Sequence, residues 1–397
     1  MWLDELQLTD FRGFGRLKLD LRHRLTALIG VNGSGKTSLV DALRIVAAHS
    51  AIAAFQWPGG PLLTERDVRL EQSTCELRLA AGDLRLRLRR TAQGTTERDV
   101  TSLGDRAWPP LVIVFQSDRA VLRSSLAMGS RLTTRSKHPA WDDERNDAFT
   151  TFEQGEEWFR QREDLENQER VRRKQLDYVD QGLELARRSI VAMLPRYRDP
   201  HIDRSRPLGP ATSQLVLSKG DQELTADMLS DGERSLLVIA MTIARRLSLL
   251  PPELASSEHV ATVVIDEVEL HLHPKWQRTI VPSLLRAFPS CQFVVTTHSP
   301  QVIGSVPHES LILLEDFEIH DAPAPTEGRD SNAILEEIMG ASERSDDSRQ
   351  ELDRLAELVD FGGLDEAQVA VDELARRWGE DDREVVRLRT ALRFREL

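Results

Sequence analysis

A glycine-rich turn between an apolar strand and a helix constrains this chain more than any other feature. Residues 30–37 read Gly-Val-Asn-Gly-Ser-Gly-Lys-Thr and directly follow the apolar stretch Leu25–Ile29. The spacing G-x-x-x-x-G-K-[ST] leaves out side chains where backbone N–H groups must wrap a polyphosphate. The helix that begins at Lys36 directs the positive end of its dipole at the same anion. The segment therefore predicts a phosphate-binding loop.

The groups of this loop have separate expected tasks. Lys36 reaches the β- and γ-phosphates, the Thr37 hydroxyl binds Mg²⁺, and Ser38 assists at the α-phosphate. The residues expected to line the cradle are Asn32, Gly33, Ser34 and Gly35. An ordinary glycine turn is the alternative, but a strand before the loop and a helix after it are what phosphate binding requires. ATP and Mg²⁺ are the predicted ligands.

A strand that ends in two carboxylates is the second informative feature. Residues 263–267 read Val-Val-Ile-Asp-Glu. Asp266 lies at the carboxyl end of the strand, where ligands bind in open α/β sheets, and we expect it in the Mg²⁺ shell. Glu267 is expected to orient and deprotonate the attacking water. A strand end that meets solvent is the plain alternative, which the phosphate loop disfavours.

A histidine follows the next apolar strand. His298 comes directly after residues 293–297, Phe-Val-Val-Thr-Thr. A lone histidine at a strand end is often structural, but this one comes one strand after the acidic pair and is a candidate sensor of the γ-phosphate. With Lys36 and Glu267 it completes the expected catalytic set.

Length and composition indicate a soluble α/β protein. The chain has 397 residues, 40% of them hydrophobic, and a formal net charge of -13. That charge disfavours coating of the whole surface by nucleic acid but permits a local basic groove. Two cysteines far apart suit a reducing cytosol, and no apolar run approaches the roughly 20 residues of a membrane span. We expect a cytoplasmic protein.

Periodicity divides the chain into four parts. Alternating strands, including a hairpin around Gly82, and a helix from Lys36 to about Ala48 fill residues 1–142. Helical spacing dominates residues 143–206, which predicts an inserted helical lobe. Residues 207–320 resume the nucleotide domain, where a strand–helix–strand order predicts parallel pairing. Residues 321–397 carry three amphipathic helices.

A short polar loop opens the helix of residues 236–244. Residues 229–234 read Leu-Ser-Asp-Gly-Glu-Arg. Ser230 suits an N-cap and Glu233, three positions later, completes a capping box. Taken alone, the loop favours an ordinary capped helix.

In this order, the motifs of residues 6–306 resemble ABC ATPases of the RecF, SMC and OLD type. The resemblance implies an α/β ABC-ATPase head, with a mixed sheet, an antiparallel β-subdomain, an inserted helical lobe and C-terminal helices. It identifies residues 229–233 as the signature loop, normally Leu-Ser-Gly-Gly-Gln, with Asp231 and Glu233 as departures. In such proteins this loop binds the γ-phosphate held by the opposite copy, which implies a homodimer or a larger even-numbered oligomer.

The same resemblance assigns further site residues. The signature contacts to nucleotide are expected from Ser230, Gly232 and Glu233. Gln116, after the apolar strand Leu111–Phe115, matches the residue that touches Mg²⁺ and the water, although residues 117–119 could be the contacting stretch instead. Arg12, in the turn after the first strand, is a further candidate for nucleotide binding.

Two stretches, residues 265–277 and 288–302, more closely resemble the ATPase subunit of Septu anti-phage defence systems, which are sometimes found with retrons. This resemblance implies an HNH nuclease partner, and it extends the candidate partners to a retron reverse transcriptase and its DNA. Past Glu315 only about 80 residues remain, too few for a Toprim nuclease domain as in OLD proteins. We therefore expect an ATPase without a nuclease site of its own.

Other functions remain open at this stage. A RecF-like repair ATPase would act on DNA without a nuclease partner, and a scaffold would use ATP only to close a dimer. A transporter motor is disfavoured because residues 17–28 contain no aromatic residue to stack on adenine. Six arginines near the end of the helical lobe could contact nucleic acid, with solvated surface as the default: Arg187, Arg188, Arg196, Arg198, Arg204 and Arg206. The C-terminal helices either dock a protein or pack on the chain's own body.

Overall fold

A mixed sheet of six strands places the phosphate loop, the acidic pair and His298 after neighbouring strands. The computed structural model describes residues 1–55, 63–91, 93–101, 108–117, 140–141, 152–205, 214–255, 259–322, 328, 334 and 346–395. The strands in these residues are β1 Glu5–Phe11, β2 Phe14–Asp20, β3 Leu25–Ile29, β4 Thr74–Ala81, β5 Leu84–Thr91, β6 Thr96–Thr101, β7 Leu111–Phe115, β8 Arg198–Asp203, β9 Gln214–Lys219, β10 Gln222–Thr225, β11 Ala261–Ile265, β12 Cys291–Thr297, β13 Leu311–Glu315 and β14 Glu318–Asp321. The helices are α1 Lys36–Phe55, α2 Phe152–Arg173, α3 Gln181–Met193, α4 Asp231–Ser248, α5 Pro252–Ala255, α6 Pro274–Gln277, α7 Ile280–Ala287, α8 Pro300–Ile303, α9 Asp346–Phe361, α10 Leu364–Trp378 and α11 Arg383–Arg395.

The central sheet has the strand order β14-β13-β3-β12-β11-β7. Strands β7, β11, β12, β3 and β13 run parallel, and β14 turns back antiparallel to β13. Strands β3, β11 and β12 are buried along their whole length, as expected for central parallel strands covered on both faces. The predicted parallel pairing of the strands on either side of α7 is confirmed. The carboxyl ends of β3, β11 and β12 therefore lie side by side.

A second, antiparallel sheet of order β2-β1-β4-β5-β6 forms the predicted β-subdomain. Its inward positions are mostly leucines on every second residue, which pack with the apolar face of α1 into one core. The predicted hairpin is present, with Gly82 at φ +53° in the turn between β4 and β5. The head thus combines a mixed sheet and an antiparallel sheet, as the resemblance implied.

Helix α1 is longer than predicted. It runs for 20 residues to Phe55, because alanine and aliphatic residues continue past Ala48 without a helix breaker. By length and composition it would be long enough to cross a membrane, although 61% of its most apolar window is buried inside the protein. A helix that covers a core passes the same test of length and hydropathy. The expectation that no apolar stretch approaches membrane-spanning length was therefore too strict.

The region predicted to be helical also contains a strand. Helices α2 and α3 confirm the helical spacing, but β8 occupies Arg198–Asp203 and pairs with β9 in a three-stranded sheet of order β10-β9-β8. The prediction of helix was wrong there. Pro200 is tolerated because β8 is an edge strand, and the irregular register between Arg198 and His201 interrupts the alternation that would have signalled a strand.

The chain divides into two compact units, Met1–Ile334 and Leu335–Leu397. The second unit contains the three predicted amphipathic helices α9, α10 and α11. They pack around a core of their own, formed by Leu352, Val359, Ala367, Val371, Leu374, Ala375, Val385, Leu388 and Leu392. Gly379 ends α10 with φ +100°, a conformation that residues with side chains rarely adopt.

Candidate nucleotide-binding and hydrolysis site

The glycine-rich loop of residues 30–37 follows β3 and enters α1 as predicted. Gly30, Gly33 and Gly35 have φ values of +152°, +86° and +105°, which side chains rarely adopt. A methyl group added at Gly30 would lie 2.2 Å from the carbonyl oxygen of Leu314. At Gly33 the same addition would meet nothing within 4 Å. The loop is therefore packed against β13 at its start and open at its tip.

The polar groups inside the loop suit a bound polyanion. The Lys36 side chain is only 7% exposed, and its Nζ donates 2.8 Å hydrogen bonds to the carbonyl oxygens of Gly30 and Val31. Burial lowers the pKa of Lys36, while the carboxylates of Asp266, Glu269 and Glu267 act in the opposite direction. An anion beside the ammonium would offset the cost of its burial.

The nearby Ser34 supplies a second sign that this loop suits an anion. The Ser34 hydroxyl is buried and has no hydrogen-bond partner in the described part of the chain. A buried hydroxyl without a partner is costly, and a phosphate oxygen would satisfy it. With the Lys36 ammonium, it makes the loop a fitting cradle for phosphates.

Asp266 lies where its carboxylate can help to hold a metal ion. It is 1% exposed at the end of β11, and Thr37 Oγ1 donates a 3.1 Å hydrogen bond to its Oδ2. A hydroxyl and a carboxylate are oxygen donors of the kind that Mg²⁺ takes, with phosphates and water completing its shell. The described residues contain no group of three or more His, Cys, Asp or Glu side chains that could hold a metal alone. The donor set fits a metal shared with nucleotide.

Thr296, which sequence reasoning missed, connects the two acidic residues. Its Oγ1 donates a 2.6 Å hydrogen bond to Asp266 Oδ1 and accepts a 2.7 Å bond from the backbone N–H of Glu267. Glu267 has φ +46°, a left-handed conformation that is uncommon for a residue other than glycine. The Thr296 hydroxyl thus fixes the Asp266 carboxylate and the backbone of Glu267 at the same strand end. A threonine near the carboxyl end of a buried strand was the only sequence signal for this contact.

His298 follows β12 and contacts a second carboxylate that the sequence did not single out. Glu269 is 6% exposed, and its Oε1 accepts a 2.7 Å hydrogen bond from the backbone N–H of His298. The Nδ1 atom of the His298 ring lies 3.1 Å from the same oxygen, and the ring is 43% exposed. Glu269 therefore holds His298 at the strand end while the outer part of the ring faces solvent.

Arg12 and Gln116 meet at one aspartate on α1. Arg12 donates to Asp41 over 2.7 Å and to Asp67 over 2.9 Å, and its guanidinium lies 3.4 Å from Ser38 Oγ. Gln116 Nε2 donates a 3.2 Å hydrogen bond to the other oxygen of Asp41. The fold thus brings both predicted residues next to the first turns of α1. The alternative contacts at residues 118 and 119 lie outside the described residues.

The signature loop forms the predicted capping box at the start of α4. The Glu233 backbone N–H donates to Ser230 Oγ over 3.4 Å, while Glu233 Oε2 accepts from the Ser230 N–H and hydroxyl over 3.0 and 2.8 Å. Tyr197 O–H donates to the other Glu233 oxygen over 2.8 Å. Burial, together with this carboxylate, raises the pKa of Tyr197 to about 12. The chain's own groups therefore engage both Glu233 oxygens.

The signature loop has little space for a side chain at Gly232. A methyl group added there would lie 3.0 Å from the carbonyl oxygen of His271, in the turn after β11. The signature loop thus packs against the segment that follows Asp266 and Glu267. Within the parts of the chain that the structure describes, no hydrogen bond joins Ser230 to residues 30–37.

The basic stretch near the end of the lobe carries less free charge than its sequence suggests. Arg187 pairs with Glu163 and Glu166, and Arg204 pairs with Glu163 and Asp164, all on α2. Glu163 and Glu166 are buried, so these pairs hold the lobe together. Arg206 lies outside the described residues. The contacts weaken the case for a nucleic-acid groove at Arg187 and Arg204.

Comparison with known proteins places this site in a family. Residues 25–304 match the family described as "AAA domain, putative AbiEii toxin, Type IV TA system". The chain belongs to this AAA-domain family. The matched residues include the phosphate loop, the signature loop, the acidic pair and His298. With the head architecture, they support the ABC-type ATPase that the sequence predicts.

Individual relatives cover different parts of this AAA-domain protein. It is 32% identical to "Retron Ec83 probable ATPase" of Escherichia coli over 191 residues, which is 47% of this chain and 35% of that protein. It is 23% identical to the Septu protein PtuA of Bacillus thuringiensis over 86% of this chain and 85% of that protein. It is 41% identical to the DNA replication and repair protein RecF of Paenarthrobacter aurescens over 21% of this chain and 23% of that protein. The chain thus spans about a third of the retron relative and most of the Septu relative.

Proposed function

We propose that this ATPase is a subunit of a bacterial anti-phage defence complex, in which it closes into an ATP-bound dimer and regulates a partner HNH nuclease. The observation that carries the proposed dimer is the separation of two exposed surfaces in one chain. The tip of the phosphate loop is exposed at Val31, Asn32 and Gly33, and Ser230 is exposed at the start of α4. Since no described hydrogen bond joins these surfaces in one chain, the N-terminus of α4 is available to a nucleotide held by a second copy.

The residues of one proposed site divide into those that bind and those that react. Lys36 and Ser34 hold the β- and γ-phosphates, and Thr37 with Asp266 would hold Mg²⁺, which neutralises phosphate charge when bound. Gln116 would join this shell by exchanging its bond to Asp41. Glu267 orients a water molecule and accepts its proton as the water attacks the γ-phosphate. His298 senses the γ-phosphate from the neighbouring strand end.

The defence role rests on the Septu and retron relatives. The match to the Septu protein extends over both chains, whereas the RecF match covers a short segment. In this proposal the partners are an HNH nuclease and, where a retron is present, a reverse transcriptase with its DNA. The C-terminal helices α9–α11 are the proposed docking part, and the complex works in the cytoplasm. The chain contributes ATP turnover, and DNA cleavage belongs to the partner.

A RecF-like repair ATPase is the second candidate, favoured by the 41% identity of the RecF segment. Co-expression with the neighbouring reading frames distinguishes the two. A nuclease that co-purifies and whose DNA cleavage responds to ATP supports the defence role. Binding to gapped DNA, with no co-purifying nuclease, favours the repair role.

The dimer is tested with Glu267→Gln. This substitution keeps the side-chain size but removes the base, so ATP should bind and stay intact while closed dimers accumulate. Light scattering after size exclusion with Mg²⁺-ATP measures the mass, and ADP serves as the control. A variant that retains ATP and yet elutes only at the mass of the nucleotide-free species would contradict dimer closure.

A further inference from the structure

A strained turn after β13 presses an aromatic ring against the phosphate loop. The register pairs Glu315 with Glu318, so Asp316 and Phe317 alone form the hairpin turn. Their φ values are +47° and +64°. Two-residue turns with positive φ usually contain Asn and Gly, and a bulky residue there is held against its conformational preference. Such strain persists only where surrounding contacts impose it, and it concentrates at functional sites.

The Phe317 ring contacts two glycines from different segments. A methyl group added at Gly13, between β1 and β2, would lie 2.3 Å from its Cε1 atom. A methyl group added at Gly35, in the phosphate loop, would lie 2.8 Å from its Cδ1 atom and 2.7 Å from Cζ of Phe14. The Phe14 and Phe317 rings meet edge to face with centroids 5.3 Å apart. The Phe317 ring therefore occupies the space that a side chain would take at either glycine.

The loop thus has a supported side and an open side. Phe14, Phe317 and the Leu314 carbonyl pack against Gly35 and Gly30, whereas the space around Gly33 is free. A glycine loop loses more conformational entropy on ordering than any other, so holding it before the ligand arrives strengthens binding.

We propose that Phe317 is a positioning residue for nucleotide binding, whose ring holds the phosphate loop in its receptive conformation. The strain in the turn is retained because the ring must reach Gly35 from β13. The proposal rests on the phosphate-binding role of residues 30–37. A hairpin outside the ATPase motifs would thus affect the affinity for ATP through the conformation of the phosphate loop.

The test compares Phe317→Ala and Phe317→Leu with Ile319→Ala. The last variant is the matched control, because it removes another apolar side chain from the same hairpin. Ile319 packs on the same core and is not among the nearest neighbours of Gly30 or Gly35. We measure the Kd for Mg²⁺-ATP by calorimetry and the Tm without nucleotide. Both Phe317 variants should bind ATP about tenfold more weakly than Ile319→Ala at a similar Tm, and Phe317→Tyr should bind as the wild type does. Equal Kd values for the Phe317 and Ile319 variants would overturn the proposal.

A second variant keeps the ring but displaces it. Gly13→Ala places a methyl group whose three nearest neighbours are all atoms of the Phe317 ring, and it should weaken ATP binding to a similar extent. Wild-type affinity in Gly13→Ala would also overturn the proposal. Lys36→Ala distinguishes a failure of the phosphate-binding role of residues 30–37 from a failure of the role of Phe317. If Lys36→Ala binds ATP normally, the phosphate role itself fails; if it loses binding while the Phe317 variants match Ile319→Ala, only the role of Phe317 fails.

Discussion

Thr37 Oγ1 donates a hydrogen bond to Asp266 Oδ2 over 3.1 Å, between residues 229 positions apart in the chain. The contact joins the first turn of α1 to the end of β11, because β3 and β11 lie on either side of β12 in one parallel sheet. Thr296 on β12 completes the arrangement from the strand between them. Three strand ends thus bring the oxygen atoms of the proposed metal shell together.

The role of Thr296 is tested with Thr296→Val. This substitution removes the hydroxyl that fixes both Asp266 and Glu267, so kcat for ATP hydrolysis should fall about 10- to 100-fold, as for other residues that orient metal ligands. Thr297→Val is the matched control, since the Thr297 hydroxyl accepts only from the Ser299 backbone in the described contacts. Steady-state phosphate release measures both variants. A kcat for Thr296→Val equal to that of Thr297→Val would exclude the orienting role.

Two inactive variants should complement each other if the site forms between copies. Lys36→Ala should abolish nucleotide binding, and Ser230→Ala should remove the contact from the opposite copy. In a mixed dimer, one site combines the intact phosphate loop of one copy with the intact signature loop of the other. When equal amounts of the two variants exchange subunits at random, about half of the dimers are mixed and each has one intact site of two. The mixture should therefore show about a quarter of the wild-type turnover. Turnover of the exchanged mixture no higher than the mean of the separate variants would count against the shared site.

The acidic departure in the signature loop should matter for stability. The two Glu233 oxygens accept hydrogen bonds from the Ser230 N–H and from the Tyr197 hydroxyl. In Glu233→Gln one of these oxygens becomes an NH2 group, which cannot accept, so one of the two hydrogen bonds is lost. We expect a loss of about 1 kcal/mol in the free energy of unfolding, as is typical when a helix-capping hydrogen bond is lost. Asp231→Asn removes the same charge from the same helix end but affects only a pair with Arg234. Urea unfolding measures both, and a loss for Asp231→Asn as large as that for Glu233→Gln would refute the role of the capping box.

Both thiols should be unreactive in the folded protein. Cys75 and Cys291 are buried, and burial raises the pKa of each to about 12 from 9.0. A thiol reagent at pH 8 should therefore label neither residue until the protein unfolds. Since the folded pKa exceeds the unfolded one, the stability that these thiols contribute is complete below about pH 9 and is lost as the pH rises towards 12. Rapid labelling of native protein at pH 8 would contradict this burial.

Much of the site could be read from the sequence because its motifs are local. The phosphate loop needs glycines at fixed spacing within one short segment, the acidic pair ends a continuous apolar strand, and the capping box has a fixed spacing of three residues. The corresponding predictions placed Lys36, Asp266 and Ser230 in the elements where the structure has them. The strand–helix–strand order around α7 also sufficed to predict parallel pairing, since a short crossover allows few other arrangements.

The remaining features depend on contacts between distant segments, for which the sequence gives no periodic signal. Thr296 and Glu269 acquire their roles only because the ends of β11 and β12 are adjacent. Phe317 reaches Gly35 because β13 pairs with β3, and β8 forms as an irregular edge strand because β9 is beside it. Backbone propensity and hydrophobic period fix local structure, whereas these pairings depend on which surfaces pack together. The sequence therefore determined the type of site, and the tertiary structure decided which neighbours hold its residues in place.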